Sequence, residues 1–417
     1  MEINQFINLL GNNPSVSTDT RTIKEGDVFF ALKGDNFDGN QYVQQAVDKG
    51  ASIVVTDNNR WNGLDKVIIV ENVLEFMQKA ARVYRDSLKC KVVGITGSNG
   101  KTTTKELCYE VVRSSYKCFA TQGNYNNHIG VPITLLSTPR DTEVLIVEMG
   151  ANHQGEIDFL CNISNPDIGI ITNIGKAHLE GFGGIEGVKK GKSELYRYIC
   201  KKNGTILYNV DDKVLTSLLP DCCQEYIKYK SAIAIQLNPS IQLKMDDILY
   251  ESHLFGNYNA TNIQCAVTLG DYLGVDHALM QTAISNYKPS NNRSEIISYK
   301  GATIIKDAYN ANPSSVQLSL RNFAKAYPEN SVVIIGDMLE LGDESIKEHS
   351  EIIDLVRALK IEDVLLIGPI FSSIDHSFPS FISAIEAKAY FSRLDLDGKN
   401  LLLKGSRGLK LEVLLDD

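Results

Sequence analysis

Lys91-Val92-Val93-Gly94-Ile95-Thr96-Gly97-Ser98-Asn99-Gly100-Lys101-Thr102-Thr103-Thr104 decides how this chain is read. The run Val92-Val93-Gly94-Ile95 has the composition of a buried strand. A glycine-rich turn follows, and Lys101 then opens a helical pattern. Between a strand and a helix, Gly97, Ser98, Asn99 and Gly100 let backbone N–H groups face an anion. Lys101 reaches its terminal phosphates, and the Thr102 hydroxyl, with Thr103 beside it, can ligate Mg²⁺. The strict form G-x-x-x-x-G-K-[ST] is broken once, because Ile95 stands at the first glycine position. Such a loop implies a nucleoside triphosphate but does not choose the reaction.

Working outward, more near-continuous apolar runs follow at Val144–Glu148 and 168–172, with helical stretches between them. Runs of this kind are typical of parallel strands covered on both faces, so an open, doubly wound sheet is expected. Closely spaced runs at Thr205–Tyr208, 227–230 and 232–237 predict an antiparallel edge. On the N-terminal side, runs at 28–32, 52–56 and 66–70, a helix pattern at 41–49 and another at Val73–Ser87 predict a small α/β unit. On the C-terminal side, Lys288-Pro289-Ser290-Asn291-Asn292-Arg293 reads as a linker. Strands at 303–305, 332–335, 364–367 and 401–403 then predict a second doubly wound unit.

The 417 residues suit two to four domains. Lys plus Arg is 42 and Asp plus Glu is 51, a net charge of −9. That balance disfavours binding nucleic acid or an anionic membrane through bulk charge. The eight cysteines form no C-x-x-C pair and no zinc spacing, so small buried thiols in a reducing cytosol are expected. The start, Met1-Glu2-Ile3-Asn4-Gln5-Phe6, lacks a basic n-region, and no apolar run reaches the ~20 residues that span a bilayer. A cytoplasmic protein with no membrane partner is expected, monomeric by default.

Other motifs accompany the loop. Ser17-Thr18-Asp19-Thr20-Arg21 precedes a run from Gly26 to Lys33-Gly34, then Asp38-Gly39. In the middle stand Gly123-Asn124-Tyr125-Asn126-Asn127-His128 and Glu148-Met149-Gly150-Ala151-Asn152-His153. Late come Asp307-Ala308-Tyr309-Asn310-Ala311-Asn312-Pro313, Gly336-Asp337-Met338-Leu339-Glu340-Leu341-Gly342 and Leu403-Lys404-Gly405-Ser406-Arg407. In this order, with the loop T-G-S-N-G-K-T-T-T, they resemble the Mur ligase superfamily. The resemblance is to the branch that joins D-alanyl-D-alanine to a UDP-N-acetylmuramoyl tripeptide. The D-N-P-R motif of the branch that adds the third peptide residue is absent.

The resemblance implies an N-terminal UDP-sugar-binding domain at 1–88, a central P-loop ATPase domain with a mainly parallel sheet at 89–289, and a C-terminal Rossmann-like domain at 290–417. It also implies the reaction. ATP phosphorylates the tripeptide carboxylate, and the dipeptide amine attacks the acyl phosphate. ATP and Mg²⁺ are the implied cofactors, the metal screening the charge of two anions. Few protein ligands are expected for magnesium.

The implied site follows residue by residue. Thr102 and Glu148, the latter at a strand end, are metal ligands, and His178 contacts a second metal. Lys192, fourteen residues after His178, carries a carbamate; a plain ammonium beside two magnesium ions is costly, whereas a carbamate supplies hard oxygens. Lys101, Glu148, His178 and Lys192 are the catalytic group. Asn259 lies by the adenine; Asn259 and Asn262 also read as an N-cap. Arg293 approaches the ATP phosphates and Asp307 the ribose, while Lys306 stands where many members have an acid or Asn. Ser17, Thr18, Asp19, Thr20, Arg21, Lys33 and Gly34 hold the UDP end, and Asn124, Asn126 and Asn127 contact substrate. Asn310, Asn312, Lys404, Ser406 and Arg407 serve the incoming dipeptide. Residues from two domains must meet on one ATP, so the C-terminal domain is expected to close over the centre.

Two alternatives stay open. One is a Mur-type ligase adding D-Glu, a diamino acid or a folate glutamate. The other is a non-catalytic nucleotide-binding protein. The third acceptor residue, lysine or diaminopimelate, is open too.

Overall fold

A computed structural model describes residues 1–289 and 292–416. Ser290 and Asn291, part of the expected linker and third-domain start, lie outside the described residues, as does Asp417.

The N-terminal sheet has four parallel strands in the order Val16–Ser17, Val28–Phe30, Ile53–Thr56, Val67–Ile69. The helix Val73–Ser87 follows. The Asn72 side chain caps it by accepting from Glu75 N at 2.9 Å. Val73, Phe76, Met77, Ala80, Ala81 and Tyr84 form its buried stripe. That stripe joins an apolar core running from Phe6 to Leu215, and Tyr84 Oη donates to Thr138 O at 2.8 Å. Burying side chains such as Phe76 and Met77 contributes about 1.5–3 kcal/mol each. That helix, together with Val16 N donating to Ser137 Oγ at 3.3 Å and Arg140 N donating to Asn12 O at 2.9 Å, fastens the N-terminal block to the middle of the chain.

The central sheet has six parallel strands in the order Glu225–Lys228, Thr205–Tyr208, Ile168–Ile171, Lys91–Thr96, Val144–Glu148, Cys118–Ala120. The expected antiparallel edge is therefore wrong for its first two members. The helix Lys213–Ser217 lies between Thr205–Tyr208 and Glu225–Lys228, and a crossover of that length returns the chain parallel. Only Ile233–Gln236 runs antiparallel, in a separate three-stranded sheet with Ile241–Met245 and Ile248–Ser252.

The third sheet has the order Glu295–Tyr299, Ala302–Asp307, Asn400–Lys404, Ser331–Gly336, Asp363–Ile367, Ser380–Phe381. It is parallel except for its first pair. The last long strand, Asn400–Lys404, is inserted between two earlier ones and sets Lys404 opposite Asp307. Three α/β domains thus present strand carboxyl ends, the places where open sheets bind ligands.

The cysteine expectation needs correction. Cys200 and Cys222 lie within bonding distance of each other, their Cα atoms 5.7 Å apart. Cys222 is exposed and Cys118 and Cys223 are half-buried. Cys222 and Cys223 sit in a surface turn before the edge strand Glu225–Lys228, which no periodicity would bury.

Candidate active site

The phosphate-loop stretch folds as its composition requires. Gly97 has φ +144°, and a Cβ there would meet Thr172 Oγ1 at 2.0 Å. The loop is fastened to the residues after Ile168–Ile171: Ser98 N donates to Asn173 O (3.0 Å), and Asn99 N donates to Asn173 Oδ1 (3.0 Å). Gly100 precedes the helix Lys101–Arg113, whose first turn holds Thr102 and Thr103. Lys101 Nζ donates to Gly97 O at 2.7 Å and Ser98 O at 3.1 Å. Burial, with Arg293 adding to it and Glu148 opposing it, pushes the Lys101 ammonium down to about 8.

Glu148 ends the strand Val144–Glu148 and is wholly buried. Its Oε1 accepts from Asn126 Nδ2 at 2.8 Å and Thr102 Oγ1 at 3.2 Å. Its Oε2 is buried with no hydrogen-bond partner among the described residues. An unpaired buried carboxylate oxygen is costly unless a cation or donor meets it.

His178 occupies the left-handed region, φ 52°, just before the short helix Leu179–Phe182. Its Nδ1 meets the carboxylate of Glu340, from the third domain. Lys192 ends the helix Ile185–Lys192 and is 1% exposed. Gly187 lets that helix sit on the 178–182 turn, since a Cβ there would meet Phe182 O at 1.8 Å. Lys192 Nζ donates to Ala151 O at 3.1 Å and lies 5.2 Å from the Phe182 ring centroid. Burial pushes its amine well below the ordinary lysine range, Lys101 adds to this, and Glu156 and Glu194 oppose it. Lys190 is exposed, whereas Lys189 is half-buried and paired with Glu186 at 2.6 Å.

Asn259 and Asn262 are not the N-cap. The helix Tyr258–Leu273 is preceded by Asn257, and both lie inside it, buried. Asn259 Nδ2 donates to Phe255 O at 2.8 Å, and Asn262 Nδ2 donates to Asn259 Oδ1 at 2.7 Å. Asn262 Oδ1 accepts from Thr104 Oγ1 at 3.0 Å, tying this helix to the one behind the phosphate loop.

From the third domain, Asp307 pairs with Lys404 at 2.7 Å, and Lys404 also donates to Asn310 O at 3.1 Å. The Arg293 guanidinium lies 3.8 Å from the Tyr309 ring centroid, and that of Arg407 lies 5.3 Å from it. Asn312 caps the helix Pro313–Ala326 and its Nδ2 donates to Asn99 Oδ1 at 2.7 Å. Ser406 departs from expectation. It is buried, donates to Asp337 O at 2.8 Å and accepts from Leu339 N at 3.3 Å, so it fixes a turn and does not line the cleft.

One cleft of about 1070 Å³ draws these groups together. Lys101, Thr102, Glu148, His178, Asn259, Arg293, Asp307, Lys404 and Arg407 line it, as do Asn124, Asn126, Asn127, Asn310 and Asn312. Lys192 lies behind its wall, reaching Ala151, which lines it. The N-terminal candidates stand apart. Lys33 and Gly34 border a separate cavity of about 290 Å³ with Phe37 and Tyr42, whose rings stack at 5.5 Å. Ser17 Oγ accepts from Asp19 N at 3.1 Å, Thr18 is half-buried, and Asp19 and Arg21 form an exposed ion pair at 2.6 Å. Thr20 is buried with its hydroxyl on Gln45 Oε1 at 3.0 Å, so that hydroxyl serves the fold. Sequence reasoning missed Asn173, Thr121, Ser314 and Glu340. Asn173 stands two residues past the strand end at Ile171, which was a usable signal; the others act across distant contacts. Thr121 Oγ1 accepts from Glu148 N at 3.0 Å, and Ser314 Oγ accepts from Lys176 N at 3.0 Å.

A nucleotide loop at the carboxyl edge of one parallel sheet, faced by a second α/β domain, defines a class before any comparison is made. Family models match three consecutive regions: "Mur ligase family, catalytic domain" at 14–85, "Mur ligase middle domain" at 95–270 and "Mur ligase, glutamate ligase domain" at 292–390. The UDP-N-acetylmuramoyl-tripeptide–D-alanyl-D-alanine ligase of Bacillus subtilis is 32% identical, covering 96% of this chain and 92% of its own. That of Rickettsia prowazekii is 33% identical, covering 97% and 95%. Among solved structures, MurF from Acinetobacter baumannii superposes with a TM-score of 0.83 at 29% identity, covering 96% of this chain and 92% of that one. MurF from Thermotoga maritima, in complex with ADP, gives 0.82 at 27%, covering 97% and 96%. The chain belongs to the Mur ligase family, and within it to the MurF branch.

Proposed function

We propose that this protein joins D-alanyl-D-alanine to a UDP-N-acetylmuramoyl tripeptide at the expense of ATP, which becomes ADP and phosphate. The observation that carries the reading is the buried Glu148 carboxylate with one unpartnered oxygen beside the Thr102 hydroxyl, at the mouth of a phosphate loop. Relatives of this name across nearly the whole chain support the choice of substrates.

Those residues suit a hard cation. A carboxylate and a hydroxyl are oxygen donors, and among the described residues no three His, Cys, Asp or Glu side chains converge. Magnesium takes oxygen ligands, few of them from the protein, and completes its shell with water and phosphate. Thr102 and Glu148 would hold it, with His178 and a Lys192 carbamate serving a second ion. When bound, the metal would screen the charge between ATP and the acceptor carboxylate.

The chain's own groups do the rest. Backbone N–H groups of the loop cradle the phosphates and Lys101 stabilises charge on the transferring phosphoryl group. The acceptor carboxylate attacks the γ-phosphorus and ADP leaves. The dipeptide's neutral amine then attacks the acyl carbon, a tetrahedral intermediate forms, and phosphate departs as the amide closes. Arg293, Asp307 and Asn259 orient the nucleotide, and Arg407, Asn310 and Lys404 face the incoming dipeptide. Asn124, Asn126 and Asn127 face the acceptor, whose UDP end lies on the N-terminal domain. Docking of the third domain excludes water from the acyl phosphate. Domain limits at 88 and 289 follow this division of labour.

The proposed working unit is a cytoplasmic monomer. No helix among the described residues is long and apolar enough to cross a membrane. Phosphate release with the lysine and the diaminopimelate tripeptides, each with and without D-alanyl-D-alanine, tests the reading. Release that requires the dipeptide supports it. Release driven by free D-Glu or a diamino acid would move the protein to another branch, and none at all in folded protein would leave a nucleotide-binding module.

A further inference from the structure

Two guanidinium groups of the third domain share one aromatic ring. Arg293, Tyr309 and Arg407 all line the cleft. The Cζ of Arg293 lies 3.8 Å from the centroid of the Tyr309 ring, and that of Arg407 lies 5.3 Å from it. At 3.8 Å the Arg293 group lies over the face of the ring, because the ring's own edge would block so close an approach from the side. The face is also the side that attracts a cation.

The ring sits on a pinned turn. Lys404 Nζ donates to Asp307 Oδ2 at 2.7 Å and to Asn310 O at 3.1 Å, so one buried ammonium grips the chain on either side of Tyr309. Asp307 Oδ2 accepts from Ser319 Oγ at 3.2 Å as well. Arg407 is fixed at its root, since it follows Ser406, whose hydroxyl is bound to Asp337 O and Leu339 N.

Among the described residues the arginines in ion pairs are Arg21, Arg82, Arg85, Arg113 and Arg357; Arg293 and Arg407 are not among them. A carboxylate partner would occupy the planar fork of N–H donors. A ring face leaves the fork open, because the donors lie in the guanidinium plane. It also restricts a long side chain that otherwise roams among many rotamers, so the ligand meets a group already oriented. We infer that Tyr309 is a positioning residue whose ring carries Arg293 and Arg407 and keeps both forks oriented and unoccupied for the anionic groups of the two substrates. The inference rests on the proposed function, which gives Arg293 to the ATP phosphates and Arg407 to the dipeptide. Arg293 is the nearer to the ring, so ATP should depend on the ring more than the dipeptide does.

The test combines steady-state kinetics in ATP and in D-alanyl-D-alanine with calorimetry of a non-hydrolysable ATP analogue, all on the full-length protein. Tyr309→Phe keeps the ring and should stay close to wild type in both KM values. Tyr309→Leu and Tyr309→Gln, two non-aromatic replacements, should raise the KM for ATP and weaken the analogue ~3–30-fold, and raise the KM for the dipeptide ~2–5-fold, the range of a cation over an aromatic face. In an Arg293→Ala background Tyr309→Leu should weaken the analogue no further, and in an Arg407→Ala background it should raise the dipeptide KM no further. Wild-type KM values in both non-aromatic variants overturn the inference. Equal damage by Tyr309→Phe and Tyr309→Leu assigns the effect to the hydroxyl, and additive losses in the double variants assign it elsewhere; either result overturns it. Wild-type phosphate release that does not need the dipeptide overturns the proposed reaction instead. The analogue then decides alone: weaker binding in Tyr309→Leu keeps the ring's hold on Arg293, and unchanged binding overturns that too.

Discussion

Asn312 Nδ2 donates to Asn99 Oδ1 across 2.7 Å, so the residue that caps a helix of the third domain also grips the phosphate loop of the second. The two tasks use different atoms. Oδ1 accepts from Ser315 N at 2.9 Å, and Nδ2 crosses to the loop. Asn312→Ser should keep the cap and lose the crossing. Thermal stability is then expected to stay near wild type, while kcat/KM for ATP falls up to ~10-fold, the worth of one hydrogen bond. Asn312→Ala should lose about 1 kcal/mol of stability in addition. Equal kinetics in wild type and Asn312→Ser would show the crossing contact to be idle.

Lys101→Ala removes the charge proposed to meet the transferring phosphoryl group but keeps the backbone cradle. Turnover should drop at least ~10²-fold. Binding of the UDP-tripeptide, measured by calorimetry, should barely change, because none of the proposed UDP residues lines the cleft that holds Lys101. Near-normal turnover in the variant would sink the assignment.

Lys192→Ala should nearly abolish turnover and spare UDP-tripeptide binding. A short carboxylic acid that fills the vacated space should restore part of the rate by supplying oxygens. Lys190→Ala removes an exposed side chain and should do little; Lys189→Ala, breaking only its contact with Glu186, should do little too. An unmodified Lys192 amine in a high-resolution map of the nucleotide-bound enzyme would contradict the carbamate.

His349 carries a pH prediction. Its Nδ1–H donates to Ser345 O at 2.7 Å, and Nε2 accepts from Met338 N at 3.0 Å, so the buried ring is neutral. Burial holds its pKa below the ordinary 6.5, with Ser345 and the charges of Asp337 and Glu348 opposing. Just below pH 6.5 the unfolded chain binds a proton that the folded chain refuses. Stability should therefore fall as pH drops from 6.5 toward the native pKa, and level off beneath it. Melting of wild type and His349→Gln from pH 7.5 to 5 should show a difference that shrinks on acidification. A constant difference would mean that His349 is not the group involved.

Much of this was legible in the sequence, for physical reasons that can be named. The strands Lys91–Thr96, Val144–Glu148 and Thr205–Tyr208 announced themselves because strands buried on both faces are apolar without interruption. Glu148 was readable as a residue at a strand's carboxyl end. Local pattern failed where contacts are distant. Nothing near Thr205 says whether its neighbour runs parallel, because that depends on the helix Lys213–Ser217 between them. Asn259 looked like a cap because asparagine before an apolar helix usually is one; here the cap is Asn257, two residues earlier. Ser406 sits in a motif with Lys404 and Arg407, yet past the strand end its hydroxyl is taken up by Asp337 O and Leu339 N, 67 residues or more away in the chain. Glu340 was invisible as a partner of His178, since 162 positions of chain separate them.

The late insertion of Asn400–Lys404 into the middle of the third sheet bears on how the protein is made. A chain emerging from the ribosome at roughly 5–20 residues per second has its first two sheets complete long before residue 400. The third sheet must wait with a gap between Ala302–Asp307 and Ser331–Gly336. Until that gap fills, Asp307 has no Lys404. A chain ended before residue 400 therefore already carries its phosphate loop while it lacks the Asp307–Lys404 pair that lines the same cleft. The last stretch of chain to be made thus decides when the far wall of the cleft, with its Asp307–Lys404 pair, is complete.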